Sequence, residues 1–437
     1  MATGIVKGEK LGEDALLANS ASTEPFPLPS SNDNVRIEYP NKISPTDILN
    51  VENHTYTICS KDNFKEVESI PTNSFMLADN FYALRKLIDD YQNKVTLIYL
   101  DPPYGTGKDF VSRELKHAYT DIFSTVSWIE FMRRRLILMR ELLADNGSIY
   151  IHIGHQMLFH LKVIMDEVFG EKNFKNIIVR KKCSSKNYTK NQYPNLNDYI
   201  LFYTKTNNYV WNQPTTTPSK EWIDKEYTKV DEKGRYKLVP IHAPGIRNGE
   251  TGKPWKGLMP PKGKHWQLTP KKLDELDKNG EIHWSKNGNP RRKVYLTKEK
   301  QIPITDYWDN YRDAHHQSIK ITGYPTEKNL DMLKMIVRAS SNEGDIVLDP
   351  FSGSGTTLHA ANDLKRSWIG IDQSFTAAEA TIKRLKYGLQ KMGDYVNIQK
   401  NTNLFESSNV STNQFNIVVD SKVIELHKEE VDILCSI

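Results

Sequence analysis

The run LIYLDPPY, residues 97–104, ends an apolar stretch in Asp101, Pro102, Pro103 and Tyr104. An acid at the tip of a buried strand is a hydrogen-bond acceptor held at a fixed point. Two prolines fix φ, and with it the direction of the carbonyl groups beside that acid. The tyrosine adds an aromatic face. Acceptors and a stacking surface are thereby offered together, a combination suited to a planar group that carries N–H donors. An isolated Pro-Pro would be no more than a rigid turn, so the rest of the chain has to decide.

A second constellation lies far downstream. In GDIVLDPFSGSGTTLHAA, residues 344–361, an apolar strand runs into Asp349, then a turn with Gly353 and Gly355, then a helix. Glycines let the backbone approach a ligand closely, and the N–H groups opening a helix can meet its polar atoms. The strand SWIGID ends in Asp372, seventeen residues beyond Gly355, where an acid can accept hydrogen bonds from ribose hydroxyls. A triphosphate loop is excluded. GSGTT carries no lysine, and in GTGKDF the lysine, Lys108, is followed by Asp109 rather than Ser or Thr. A nucleoside-bearing cofactor without a triphosphate fits these residues better.

The elements that must position both sites alternate. SFMLADN (74–80) and KVTLIYL (94–100) read as strands, with a helix between them. Residues 127–147 read as a long amphipathic helix stopped by Asn146-Gly147, followed by the strand SIYIHI and a helix over 155–170. After DYILFYTK (198–205) the rhythm lapses for about a hundred residues, then returns around Asp349 and Asp372. Strands alternating with helices predict an α/β fold, a doubly wound and mainly parallel sheet with an insertion between its halves.

That insertion is basic. Residues 175–300 hold 27 Lys and Arg against 12 Asp and Glu, a net of +15 in a chain whose total is +5. Tyr188, Tyr193, Trp211, Trp222, Trp255, Trp266 and Trp284 are interspersed with the charge. Concentrated positive charge points to a polyanion partner, DNA or RNA. No apolar stretch approaches the roughly 20 residues that span a bilayer. The first twenty residues lack the apolar core of a secretory signal. Cys59, Cys183 and Cys435 lie far apart and imply neither a disulfide framework nor a zinc ribbon, so a reducing cytoplasm is the simplest location. His315-His316 matches no metal-ligand spacing.

Taken together, DPPY at 101–104 followed by DPFSGSGTT at 349–357 resembles the DNA amino-methyltransferases that use S-adenosylmethionine. The motif order resembles their β-group of N6-adenine enzymes, to which the modification subunits of type III restriction systems belong. FMRRRLILMRELLADNGSIYIHI, MDEVFGEKNF, RRKVYL and RSWIGID extend the likeness over roughly residues 70–390. The resemblance implies a methyltransferase sheet of circularly permuted order. Residues 1–45 would form a poorly ordered arm, 46–205 the catalytic half, 206–305 the target-recognition region, 306–392 the cofactor half and 393–437 a C-terminal extension. It implies that Asp101, Pro102, Pro103 and Tyr104 are catalytic. Asp79, Asp349, Phe351, Gly353, Gly355, Thr356, Asp372 and Lys328 would meet the cofactor, and no metal is required. In YPTEKN (324–329), Tyr324, Glu327 and Asn329 depart from the family's usual stretch, while Pro325, Thr326 and Lys328 match it. Double-stranded DNA would be the partner, contacted by Lys181, Lys182, Lys186, Arg291 and Arg292. A homodimer and a restriction subunit are further expected partners. Three rival functions share parts of this pattern. Cytosine-N4 enzymes usually begin their tetrapeptide with Ser, and enzymes acting on RNA or protein glutamine usually begin it with Asn. A catalytically silent DNA-binding module would explain the basic region but not Asp101 together with the glycine turn.

Overall fold

The computed structural model describes residues 35–60, 63–104, 109–111, 117–120, 124–183, 191–311, 327–389 and 414–437. Residues 105–108 of GTGKDF, Lys186, Tyr188, the pair His315-His316 and residues 324–326 lie outside the described residues, as do 1–34 and 390–413. The chain divides into two compact units, Met1–Asn212 with Asp306–Ile437, and Gln213–Thr305.

The larger unit is built on an eleven-stranded sheet. Its strands are β1 (Tyr56–Ser60), β2 (Asn63–Val67), β3 (Ser74–Leu77), β4 (Val95–Leu100), β5 (Leu143–Ile153) and β6 (Phe174–Lys181). The others are β7 (Asn197–Thr204), β8 (Tyr307–Trp308), β9 (Ile346–Asp349), β10 (Ser367–Asp372) and β11 (Asn416–Asp420). Their spatial order is β8-β6-β7-β5-β4-β9-β10-β3-β11-β1-β2. The central run from β5 to β11 is parallel throughout. β7 is antiparallel to both β5 and β6, and β1 to both β11 and β2. All six residues of β4 are buried, as expected where both faces of a parallel sheet are covered.

The pleat sends alternate residues to opposite faces. Ile149, Ile151 and Ile153 join a core with Leu84 and Leu87 of α1 (Asn80–Tyr91), Trp128 and Leu136 of α2 (Thr125–Leu142), and Leu161 of α3 (Leu158–Phe169). Tyr150 points the other way, and its hydroxyl lies 2.7 Å from Ser340 Oγ of α4 (Leu330–Ser340). On that second face Gly370 approaches Leu358 of α5 (Thr356–Asp363) so closely that a Cβ would lie 2.4 Å from its Cδ1. Helices on both faces of a mainly parallel sheet make this the doubly wound α/β fold that the alternation predicts.

Several expectations are corrected. α2 ends at Leu142 rather than at Asn146-Gly147, because β5 begins at once with Leu143 and absorbs Asp145 to Gly147 in an irregularity of its pairing with β4. The C-terminal segment is no mere extension, since Ile417, Val418 and Val419 are buried in β11 between β3 and β1. Within the supposed loose arm, Ile37 and Ile43 pack on the core and Lys42 pairs with Glu167 at 3.0 Å. Cys59 and Cys435 form a disulfide across 376 positions, a juxtaposition their spacing could not reveal. Residues 206–212 belong to the larger unit, where Trp211 stacks on Phe202.

The second unit has its own antiparallel sheet, formed by Lys229–Asp231, Gly234–Pro240, Pro290–Tyr295 and Ile282–Trp284. Ile241, Trp255, Trp266, Leu273 and Ile282 make its core. Two of the tryptophans that looked like part of a binding surface are therefore interior residues.

Candidate active site

Parallel strands bring their carboxyl ends to one edge, where ligands of open α/β sheets bind. β3, β10, β9, β4 and β5 end there and β7 begins there. The edge thus carries Asp79, Asp372, Asp349, Asp101, His152 and Asp198, with Arg180 of β6 paired in register with Asp198.

At the tip, Asp101 Oδ1 accepts the Tyr104 hydroxyl at 2.7 Å, and Lys328 Nζ lies 2.7 Å from Oδ2. Burial and the Asp101 charge push the Tyr104 hydroxyl well above the usual tyrosine range. Lys328, expected near the cofactor, is therefore held at the Asp101 carboxylate. The buried indole of Trp128 donates to the Pro103 carbonyl at 2.7 Å. Ser124 caps the helix that carries it, accepting the Ser127 N–H at 3.1 Å. That bond fixes the second proline and leaves the Pro102 carbonyl without a hydrogen-bond donor among the described residues. A Cβ on Gly154 would lie 3.0 Å from Tyr104 Cδ2, so glycine there lets the ring settle against the strand end.

The glycine turn is braced from below. Gly353 and Gly355 have φ of +52° and +70°, in the left-handed region open to glycine. The Gly353 N–H donates to Asp372 Oδ2 and the Ser374 N–H to Asp372 Oδ1, both at 2.9 Å. Asp372 thus shapes the turn first, and each oxygen keeps a further lone pair for a ligand. Asp349 Oδ1 accepts the Phe351 N–H at 3.0 Å. Thr356 Oγ1 accepts from the buried Arg384 at 2.5 Å, and Arg384 also bonds the Ser354 carbonyl and Glu327. Thr356 and Glu327 are therefore supports beneath the turn. Asp79 caps α1 through the Phe81 N–H at 2.7 Å and pairs with Arg135 at 3.1 Å. Its neighbour Asn80 donates to the Pro350 carbonyl at 2.7 Å, tying the end of β3 to the turn. Phe351 faces Phe131 with ring centroids 6.1 Å apart.

The electrostatics select the kind of ligand. Burial, with Asp101 and Asp372 nearby, pushes Asp349 up to about 7, and burial raises Asp372 as well. A cradle lined by acids repels phosphate and favours a cation, which suits a sulfonium or an ammonium group. For stability the sign is unfavourable. An acid whose value is raised by folding leaves stability intact below about 4, the ordinary range, and loses it as pH climbs toward 7. Asp349→Asn should therefore melt at a higher temperature than wild type at pH 8, with the gap narrowing as pH falls and closing at about 4. Equal melting curves at both values would place the strain elsewhere.

The expected DNA contacts among the described residues are divided between the two units. Lys182 Nζ is bound to Asp198 Oδ1 at 2.6 Å, so it serves the buried carboxylate, while Lys181 lies beside it on β6. Arg291 and Arg292 lie in the second unit on the strand Pro290–Tyr295, where Arg291 is exposed and Arg292 partly buried. Several neighbouring cations are consumed in ion pairs, Arg235 with Asp224, Lys237 with Glu226 and Lys293 with Asp231. Sequence reasoning missed Tyr99, Trp128, His152, Arg180 and Asp198. The pleat of SIYIHI, which sends His152 to the face opposite its isoleucines, was the signal that could have found one of them.

Comparison with known proteins gives a consistent picture. A family model described as DNA methylase, of the N6/N4 type, matches residues 95–383. The type II methyltransferase M.EcaI of Enterobacter cloacae is 54% identical over 99% of this chain and 97% of its own length. The Mod subunit of the type III restriction-modification enzyme StyLTI of Salmonella typhimurium is 32% identical over 66% of this chain and 49% of its own. The type II methyltransferase M.KpnI of Klebsiella pneumoniae is 29% identical over 71% and 81%, respectively.

Proposed function

Because the chain belongs to the N6/N4 DNA methylase family, we propose that it methylates the N6 amine of adenine in double-stranded DNA, as the modification enzyme of a restriction-modification system. Its cofactor is S-adenosylmethionine, which supplies a methyl group bound to a sulfonium sulfur, its carbon open to direct attack. The 54% identity to a type II enzyme, against 32% to a type III subunit, supports reading it as a type II methyltransferase.

The observation that carries the adenine reading is the pair of acceptors at the tip. An adenine N6 amine is a poor nucleophile because its lone pair is delocalised into the ring. The Asp101 carboxylate and the Pro102 carbonyl, gripping its two N–H bonds, localise that pair and aim it. Trp128 and the prolines hold both acceptors in place before substrate arrives, so no reorganisation is needed during transfer. Tyr104, anchored through Asp101 and settled against Gly154, offers the stacking face for a base turned out of the duplex. Asp349, Asp372, Phe351 and the glycine turn would hold the cofactor, with Asp79 at the neighbouring strand end. The basic second unit is the region proposed to track phosphates.

The test is transfer of tritium from labelled S-adenosylmethionine to unmethylated duplex DNA, with RNA and protein offered in parallel. Label in DNA alone is expected. Label in RNA or protein, or none in DNA from any source, would remove the basis of the reading.

A further inference from the structure

Directly beneath the tip lies a buried polar line that methyl transfer itself does not use. Tyr99 of β4, His152 of β5, Asp198 of β7 and Arg180 of β6 are each contributed by a different strand. His152 is fully buried. Its Nδ1 lies 3.0 Å from the Tyr99 hydroxyl and 4.0 Å from Asp101 Oδ1. Its Nε2 has no hydrogen bond among the described residues, and Asp198 Oδ2 is 3.6 Å away. Asp198 in turn meets Arg180 at 3.6 Å and Lys182 at 2.6 Å, and the Lys182 side chain reaches solvent. The line therefore runs from Asp101, through an imidazole, to a buried carboxylate whose partner Lys182 reaches solvent.

We propose that His152 and Asp198 form the route by which Asp101 is reset after each turnover, carrying inward the proton shed by the methylated amine. The proposal rests on the methyl-transfer reading given above. The proton balance runs as follows. The N6 lone pair forms the new bond to the methyl carbon, the carbon–sulfur bond breaks, and sulfur keeps that electron pair. The alkylated nitrogen releases one proton to Asp101, which becomes a neutral carboxylic acid and can no longer accept from the next amine. With a base stacked on Tyr104 and the cofactor product beside it, the opening of Asp101 to solvent is filled. The geometry offers another exit. Tyr99 donating to Nδ1 leaves the ring proton of His152 on Nε2, facing Asp198. Rotation of that hydroxyl frees the Nδ1 lone pair, and a small torsion of the Asp101 carboxyl closes the gap. His152 takes the proton at Nδ1 and hands its Nε2 proton to Asp198, from which it leaves beside Lys182.

The surroundings suit this role. The charged and titratable groups facing His152 are Tyr99 from β4, Asp101 and Tyr104 beyond its end, Asp198 from β7, Arg180 from β6, and Lys328 before α4. Burial first, and then the Lys328 charge, lower His152 below the usual histidine range, so it waits neutral and able to accept. Burial works to raise Asp198, but the His152 contact and the Lys182 and Lys328 charges outweigh it and hold it well below the usual carboxylate range, so it takes the proton only in passing and gives it up beside Lys182.

His152 and Asp198 are positioning and relay groups acting through Asp101, so their loss should spare the first transfer. In rapid-quench assays, His152→Gln and Asp198→Asn should form the first equivalent of methylated DNA within about threefold of the wild-type rate. Later turnovers should slow on the order of tenfold or more, the scale of a lost proton-transfer group. Those later turnovers, and not the first, should slow further in D2O. A parallel fall in first and later turnovers would reduce the pair to a structural prop and overturn the proposal. So would variants that turn over like wild type. If His152→Gln does not fold, as judged by its melting transition, Asp198→Asn puts the same question. Absence of methyl transfer by the wild-type protein would instead count against the methyltransferase reading, a separate failure.

Discussion

Asp101→Ala should lower the rate of methyl transfer at saturating cofactor and DNA by on the order of a hundredfold or more, the usual loss when one preorganised contact to the reacting group is removed. The expectation is specific because the carboxylate has three roles at one point. It accepts the Tyr104 hydroxyl, pairs with Lys328, and is proposed to grip the amine. The variants separate these roles. Tyr104→Phe keeps the ring and the amine acceptor and should cost far less than Asp101→Ala. Tyr104→Ala loses the stacking face, worth roughly 1–3 kcal/mol per base, and a mismatched target that flips easily should partly restore its rate. Cofactor affinity should stay close to wild type in Asp101→Ala, because the glycine turn is braced by its own contacts to Asp372, Thr381 and Arg384. Calorimetry showing cofactor affinity falling in step with activity would mean that Asp101 holds the cofactor and not the amine.

Gly355→Val should abolish measurable cofactor binding. Gly355 has φ of +70°, and a Cβ there would lie 2.8 Å from both Thr381 Oγ1 and Cγ2. A β-branched residue meets the backbone penalty and the contact at once. Thr381 cannot simply turn away, because its hydroxyl donates to the Gly353 carbonyl at 2.9 Å and fixes the first glycine. Displacing it would disturb both glycines of the turn. A Thr381→Ala companion change, which clears space, should recover part of the binding in the double variant. Gly355→Val that binds S-adenosylmethionine with wild-type affinity would move the cofactor site away from this turn. Asp349→Asn should weaken binding less severely, and the wild-type affinity should rise with pH through about 7 as Asp349 ionises against a cationic ligand.

The alternation of apolar runs with amphipathic helices made the sheet readable, because a strand buried on both faces, such as Val95–Leu100, leaves a continuous apolar signature. The two motifs were readable because proline and glycine announce backbone requirements directly. What escaped was nonlocal. Asn416–Asp420 follows a long polar stretch, and its place between β3 and β1 depends on partners more than three hundred residues away. Trp128 belongs to a helix whose pattern demands an apolar residue there, and nothing local says that its indole must reach the Pro103 carbonyl. Lys182 counts as surface charge in any tally, yet a buried carboxylate sixteen residues on claims it. The tryptophans of the basic region were similarly ambiguous, since an indole among lysines reads as a binding surface until a small core of its own is found to need it.

Mass spectrometry of nucleosides from unmethylated duplex DNA, after incubation with the protein and S-adenosylmethionine, tests the central claim most directly. The two acceptors at the DPPY tip, with a carboxylate at its first position, predict N6-methyladenine as the product, lost in Asp101→Ala. N4-methylcytosine in its place, or N6-methyladenine formed at an undiminished rate by Asp101→Ala, would contradict the account of what that tip holds.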